Sequence, residues 1–285
     1  MPQRGSFEFT TDKTWDDTAE VAADAVRDVL VVGDIHGTKT HLTDAITHAA
    51  DLGAQAIVQV GDFWLADRHW SRFSPLQAEY MQTACDSPLP IIVIDGNHEI
   101  WPALGRYALT AAARDAMVAR RPLHLGGSLW WAWRGSVWRW NRHAFGALGG
   151  AVSPDKRLPE VRHYRWPEEA LTEDDIERLI ANTEAEFDGR LDVLFTHDAP
   201  AQVTGLKSGM TGIPIDVLRE AERGRRLLAA AVDRTQPELL LHGHWHQANA
   251  ERISDRTEVI GLAEDGRRDS TALLRTQPGL VVSYV

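Results

Sequence analysis

The sequence predicts an α/β fold with a core of parallel strands. Short, purely apolar runs alternate with segments of helical period, the pattern of repeated βαβ units. Clusters of Asp, His and Asn follow those runs. In a parallel sheet the loops after the carboxyl ends of the strands line one crevice, so polar residues placed there converge.

Taken in order, Val29–Gly33 (VLVVG) reads as a buried strand. Thr40–Asp51 follows as a helix, with Leu42, Ala45, Ile46 and Ala49 on one face and Gly53 closing it. Ala56–Gly61 (AIVQVG) is a second strand, Leu76–Ala84 a helix and Ile91–Ile94 a third strand. Leu104–Ala119 is expected as one helix. After Pro122 the pattern changes to short strands at Leu129–Trp133, Ser136–Trp140 and His143–Leu148, the last two joined at Asn141-Arg142. A polar loop covers Gly149–Pro167. Glu168–Glu186 is expected as a helix, with Thr172 and Asp175 spaced as a capping pair. Leu191–Thr196 reads as a strand, Ile215–Val232 as a helix and Glu238–His242 as a strand. The tail segments Glu258–Leu262, Ala272–Leu274 and Leu280–Val285 suggest antiparallel strands. No repeat, low-complexity tract or long linker divides the chain, so one domain over 1–285 is expected, with 1–27 as an N-terminal extension.

Composition sets further bounds. With 44% hydrophobic and 25% charged residues, the 285-residue chain can bury a full core. The net charge of −11 disfavours a protein that coats nucleic acid by neutralising phosphates. The first residues (MPQRGSFEFTTDK) lack an apolar secretory core, and no run approaches the ~18 apolar residues of a membrane span. Cys85 is the only cysteine, which excludes internal disulfides and thiolate metal clusters. A cytoplasmic protein without a membrane partner is the expectation.

The polar clusters carry the chemistry. Asp34 and His36 (GDIHG) follow the first strand, Asp62 (GDFW) the second, and Asn97 and His98 (GNHE) the third. His197 (THDAP) and then His244 and His246 (HGHWH) follow the two later strands. Asp34 and His36 are two residues apart, as are His244 and His246, so each pair shares a side of an extended chain. Carboxylates, imidazoles and an amide without thiolates suit borderline divalent metals such as Mn, Fe or Zn.

Taken together and in this order, GDIHG, GDFW, GNHE, THDAP and GHWH resemble the motifs of the calcineurin-like metallophosphoesterases, and they run from residue 33 to 246. The resemblance implies a four-layer α/β/β/α sandwich of mixed sheets flanked by helices. It implies a hydrolase of phosphate esters with two divalent ions, manganese foremost and Fe, Zn or Ni as alternatives, and a bridging hydroxide nucleophile. Asp34, His36 and His246 would hold one ion, and Asn97, His197 and His244 the other, with Asp62 bridging. His98 would face the substrate as the catalytic residue, protonating the leaving oxygen or stabilising the phosphoryl group, with Glu99 or Asp95 as its orienting partner.

One departure concerns substrate class. Protein serine/threonine phosphatases of the superfamily carry an Asp-Arg pair close after the bridging aspartate, whereas Asp67-Arg68 here sits two residues further along. That puts in doubt both a phosphate contact by Arg68 and a protein substrate. The segment 149–166 is rich in basic residues and offers Arg157, His163 and Arg165 as other phosphate contacts, against a solvated loop. Trp130, Trp131, Trp133, Trp138 and Trp140 suit cross-strand core packing better than a platform for bases. Trp64 and Trp101, each near a motif, are candidates to wall the pocket. His41, His48, His69, His124 and His143 stand outside any motif.

The reading is therefore a phosphomonoesterase acting on a phosphorylated small molecule or nucleotide. A phosphodiesterase or nuclease is the alternative, although the charge does not favour nucleic acid. A non-catalytic scaffold binding through the Trp-rich hairpins is disfavoured, because all seven ligand positions and His98 are present.

Overall fold

The computed structural model describes residues 7–154, 166–207 and 210–285. Two mixed sheets face each other. The first contains β1 (Asp28–Val32), β2 (Ala56–Gln59), β3 (Ile91–Ile94), β4 (Leu123–Gly126), β5 (Leu129–Ala132), β12 (Thr271–Arg275) and β13 (Val281–Tyr284), in the order β13-β12-β1-β2-β3-β5-β4. The second contains β6 (Val137–Trp140), β7 (His143–Leu148), β8 (Val193–Thr196), β9 (Leu239–His242), β10 (Asn249–Arg252) and β11 (Glu258–Gly261), in the order β10-β11-β9-β8-β7-β6. Strands β1, β2, β3 and β5 run parallel, as do β7, β8, β9 and β11.

Helices α1 (Lys39–Asp51), α2 (Pro75–Cys85), α3 (Trp101–Ala108) and α4 (Ala111–Ala119) share a core with the outer face of the first sheet. Helices α5 (Glu173–Phe187) and α6 (Ile215–Thr235) cover the second. The middle core lies between the sheets, where Val31, Val58 and Ile94 meet Phe145, Phe195 and Leu241. This is the α/β/β/α sandwich implied by the sequence motifs. The middle core also takes in Trp15, Val21 and Val26, from the segment that precedes β1.

The tryptophans divide between cores. Trp131 and Trp133 pack with the helices, while Trp130, Trp138 and Trp140 fill the space between the sheets. Trp138, Phe145 and Phe195 lie nearly parallel, with interplanar angles of 14°, 8° and 15° among the three pairs. Buried at 5% exposure or less, none of the five tryptophans offers a platform for bases.

Several elements depart from expectation. The helix expected over Leu104–Ala119 is two helices, because Thr110 caps the second by accepting from the Ala113 amide at 3.1 Å. The helix expected from Glu168 begins at Glu173, where Thr172 and Asp175 form a reciprocal capping box. Strand β11 is antiparallel to β10 but parallel to β9, so the tail is not wholly antiparallel. Strand β10 (NAER) alternates between half-buried and exposed residues at a sheet edge, and its polar composition hides it from a search for apolar runs.

Arg134 ties the end of the first sheet to the segment before α5. Its Nε donates to Asp95 at 2.7 Å, and its Nη atoms donate to the carbonyls of Glu168, Glu169 and Ala170 at 2.9–3.0 Å. The guanidinium also lies over Trp101 at 4.8 Å. Removing one member of a buried ion pair strands the other. Arg134→Met is therefore expected to destabilise the fold by ~3–5 kcal/mol, read from the midpoint of urea denaturation.

Candidate metal centre

Both sets of parallel strands present their carboxyl ends to one region. From the first sheet come Asp34 and His36 after β1, Asp62 after β2, and Asn97 and His98 after β3. From the second come His197 after β8, and His244 and His246 after β9. All seven predicted ligands and His98 gather here, although more than two hundred residues separate the first from the last.

Asp62 occupies the middle. Its Oδ2 lies 3.6 Å from His36 Nε2, and its Oδ1 lies 3.3 Å from His197 Nε2. Ligand atoms of Asp34, His36 and His246 come within 4.8 Å of one another on one side, and those of Asp62, His197 and His244 do so on the other. Asp34 reaches His246 Nε2 at 3.1 Å, and the Asn97 Oδ1 reaches His197 Nε2 at 3.0 Å.

His98 and Asn97 diverge as neighbours in an irregular segment should. Asn97 turns to His197, whereas the imidazole of His98 joins His36 and Asp62 in a third group able to hold a cation. The backbone amide of His98 donates to Asp62 Oδ1 at 2.8 Å.

The backbone is bent to achieve this. His36, Asp62, His244 and His246 adopt φ values of 51°, 59°, 64° and 55°, a left-handed conformation that costs energy in residues other than glycine and recurs at functional sites. Glycine supplies close approach. A methyl group on Gly96 would overlap the Asp62 amide and carboxylate, and one on Gly243 would overlap the Asp34 carboxylate.

Electrostatics favour a cation. Burial opposes charge on Asp62, yet His197, His98 and His36 hold its carboxyl well below the usual range. Burial likewise opposes charge on Asp34, and the hydrogen bond to His246 keeps it low. The same carboxylates draw protons onto the histidines: against burial, Asp62 raises His36 to about 9, and Asp62 and Asp34 raise His197 to about 10. The carboxylates that attract protons here would equally attract a divalent ion. His197 Nδ1 donates to the Val60 carbonyl at 2.8 Å, leaving Nε2 as the lone-pair atom of the neutral ring, aimed at Asn97 and Asp62. The donor set and its electrostatics therefore fit divalent ions of the borderline class.

The orienting partner expected for His98 is not found in either acid. Glu99 is fully buried and accepts from the amides of Phe63, Leu65 and Gly96 at 2.9, 2.6 and 3.3 Å, which ties the Asp62 loop to the Asn97 loop. Burial raises its carboxyl to about 7. Asp95 accepts from Trp131 and Arg134 instead. Arg68 pairs with Glu8 and not with the centre. Trp64 packs against Gly37 beside His36, while Trp101 lies under Arg134. Arg157, His163 and Arg165 lie outside the described residues.

Four further residues complete the surroundings, and no motif flagged them. Asn97 Nδ2 donates to Ser153 Oγ at 3.0 Å, and Ser153 in turn donates from its amide and hydroxyl to Glu169 at 3.1 and 3.3 Å. That chain fixes the amide with its oxygen toward His197. Glu264 holds His246 Nδ1 at 3.0 Å, and the amide of Asp265 donates to the Asp34 carbonyl at 2.8 Å. The Asp265 carboxylate also pairs with His41. The acidic pair after β11 was the only trace of these in the sequence.

The layers and donor set define a metal-binding α/β/β/α sandwich. The chain belongs to the calcineurin-like phosphoesterase family, whose sequence profile matches residues 28–248. It is accordingly a hydrolase acting on phosphoester bonds, of a family that works with two metal ions. Its fold resembles that of a Thermus thermophilus protein, TT1561, with a TM-score of 0.55 and 19% identity over 91% of this chain and 99% of that one. It also resembles a dimetal phosphatase from Danio rerio, with a TM-score of 0.57 and 14% identity over 91% of this chain and 96% of that one. None of the curated proteins matches the chain. No helix among the described residues is long and apolar enough to cross a membrane.

Groups that orient a metal ligand change affinity by roughly 10–100-fold when removed. Ser153→Ala is expected to weaken binding of one manganese ion by that factor while sparing the other, as two-site calorimetric titration would resolve.

Proposed function

We propose that the protein is a dinuclear-metal phosphomonoesterase. The observation that carries this reading is the position of Asp62, whose two oxygens face two separate groups of ligands. Asp34, His36 and His246 would hold one ion and Asn97, His197 and His244 the other, with Asp62 between them. Manganese suits this oxygen and imidazole set, with Fe, Zn or Ni as alternatives. Two such ions supply a nucleophilic water near neutral pH and draw charge off the phosphoryl oxygens.

The protein's own groups do the rest. Asp62 keeps the two halves of the site at a fixed separation, and its negative charge offsets the repulsion between cations. Asn97 contributes an uncharged oxygen, which preserves the Lewis acidity of its half. His98, half-buried at the rim, protonates the leaving oxygen as the ester bond breaks. Its backbone amide, held by Asp62, fixes where the imidazole starts. The substrate is a phosphorylated small molecule or nucleotide. The net charge of −11 weighs against a nucleic acid, whose affinity would rest on neutralised phosphates. A cytoplasmic setting is in keeping with the single, buried cysteine.

The test compares p-nitrophenyl phosphate with its bis-ester on manganese-loaded protein. Faster turnover of the monoester is expected, and dominant bis-ester hydrolysis would overturn the assignment. His98→Ala is expected to retain both ions by elemental analysis and to lose about 10²–10⁴-fold in kcat. Loss of metal in that variant would show His98 to be a ligand instead.

A further inference from the structure

A cleft of about 500 Å³ opens beside the metal centre, and the same side chains border both. His244 and His246 are among the residues that line it. Trp245, between them in sequence, lines it with Val152 and with Leu218 and Ala221 of α6, and Lys207, Glu222 and Arg267 add charge to a lining whose exposed surface is mostly apolar. Leu218 is 44% exposed and lines the cleft, so it offers apolar surface there. A concave apolar surface continuous with a polar reaction centre is the usual form of a small-molecule site.

The Trp245 ring is held rigidly. Its Nε1 donates to Asp198 at 2.8 Å, and the Arg225 guanidinium lies over it at 5.2 Å. Arg225 is itself fixed, since it donates to the carbonyls of Ala199, Pro200 and Val203 at 3.1, 3.1 and 2.7 Å. That guanidinium therefore serves as a backing for the indole and not as a phosphate ligand. Trp245 stays half-buried, and its uncovered surface lines the cleft. A flat ring pre-oriented in this way favours another flat ring through offset or edge contacts, at little cost in ordering.

We propose that this cleft receives the leaving group of the substrate, and that the leaving group carries a flat aromatic ring. The inference rests on the assignment of His244 and His246 to the metal centre. Because His244 and His246 border both the centre and the cleft, the organic part of an ester held at the centre has this apolar space beside it. A nucleobase and a simple aryl group present the same chemistry to Trp245, and size separates them.

Non-hydrolysable phosphonates test this without turnover. Calorimetry on manganese-loaded protein would compare phenylphosphonate, cyclohexylphosphonate and methylphosphonate. Phenylphosphonate is expected to bind about tenfold tighter than methylphosphonate, and tighter than the cyclohexyl compound. Leu218→Glu, a change at an exposed position, is expected to remove most of that preference and leave methylphosphonate unaffected. Trp245→Leu, which keeps an apolar wall but loses the flat ring, is expected to bring the phenyl and cyclohexyl compounds level. Equal wild-type affinities for the phenyl and methyl compounds would overturn the proposal, as would a Leu218→Glu variant that weakens both equally. A nucleoside phosphonate that binds more tightly than phenylphosphonate identifies a base-bearing substrate, and one that binds more weakly identifies a simple aryl ester; the ring is supported in both cases. Should bis-ester hydrolysis dominate turnover while phenyl selectivity persists, the monoesterase assignment falls and the cleft stands.

Discussion

Everything at this centre is arranged around the Asp62 carboxylate. One oxygen faces His36 and the other His197. The left-handed φ of 59° turns the carboxylate between the sheets, the His98 amide holds one oxygen, and Gly96 passes close enough to leave no room for a side chain. Glu99 then locks the arrangement from behind by accepting amides from both loops. Strain at Asp62, His36, His244 and His246 persists because the sheets on either side over-determine these loops.

Charge follows from that geometry. Two buried aspartates so close together would repel each other, and neighbouring histidines compensate by taking up protons that they would otherwise lose near neutral pH. Buried carboxylates are costly unless paired, and here His36, His197 and His246 pair with them. The hydrogen bonds of His197 to Val60, Asn97 to Ser153 and His246 to Glu264 hold each donor in orientation before any ion arrives.

Much of this was legible in the sequence, for a physical reason. Residues that must meet at the carboxyl ends of parallel strands have to follow apolar runs, so the clusters from Asp34 to His246 advertise themselves. What was hidden is whatever depends on proximity between distant segments. Ser153 and Glu169 carry no motif, yet Ser153 meets Asn97 and Glu169, held by Arg134, meets Ser153. Glu99 looked like a partner for its neighbour His98, and its three amide contacts are set by loop curvature that a linear reading does not contain. The break at Thr110 was missed because a threonine inside a helical pattern reads equally well as a tolerated residue or as a cap.

The two sheets contribute different parts of the centre: Asp62 and Asn97 follow strands of one, His197 and His244 strands of the other. The stack of Trp138, Phe145 and Phe195 belongs to the layer that separates them. That aromatic layer works as a ruler. Side chains from both sheets fill this layer, and close-packed interiors yield little to compression, so the spacing of the sheets is held. The placement of the polar loops at the edge of the sandwich thus depends on residues that never touch them.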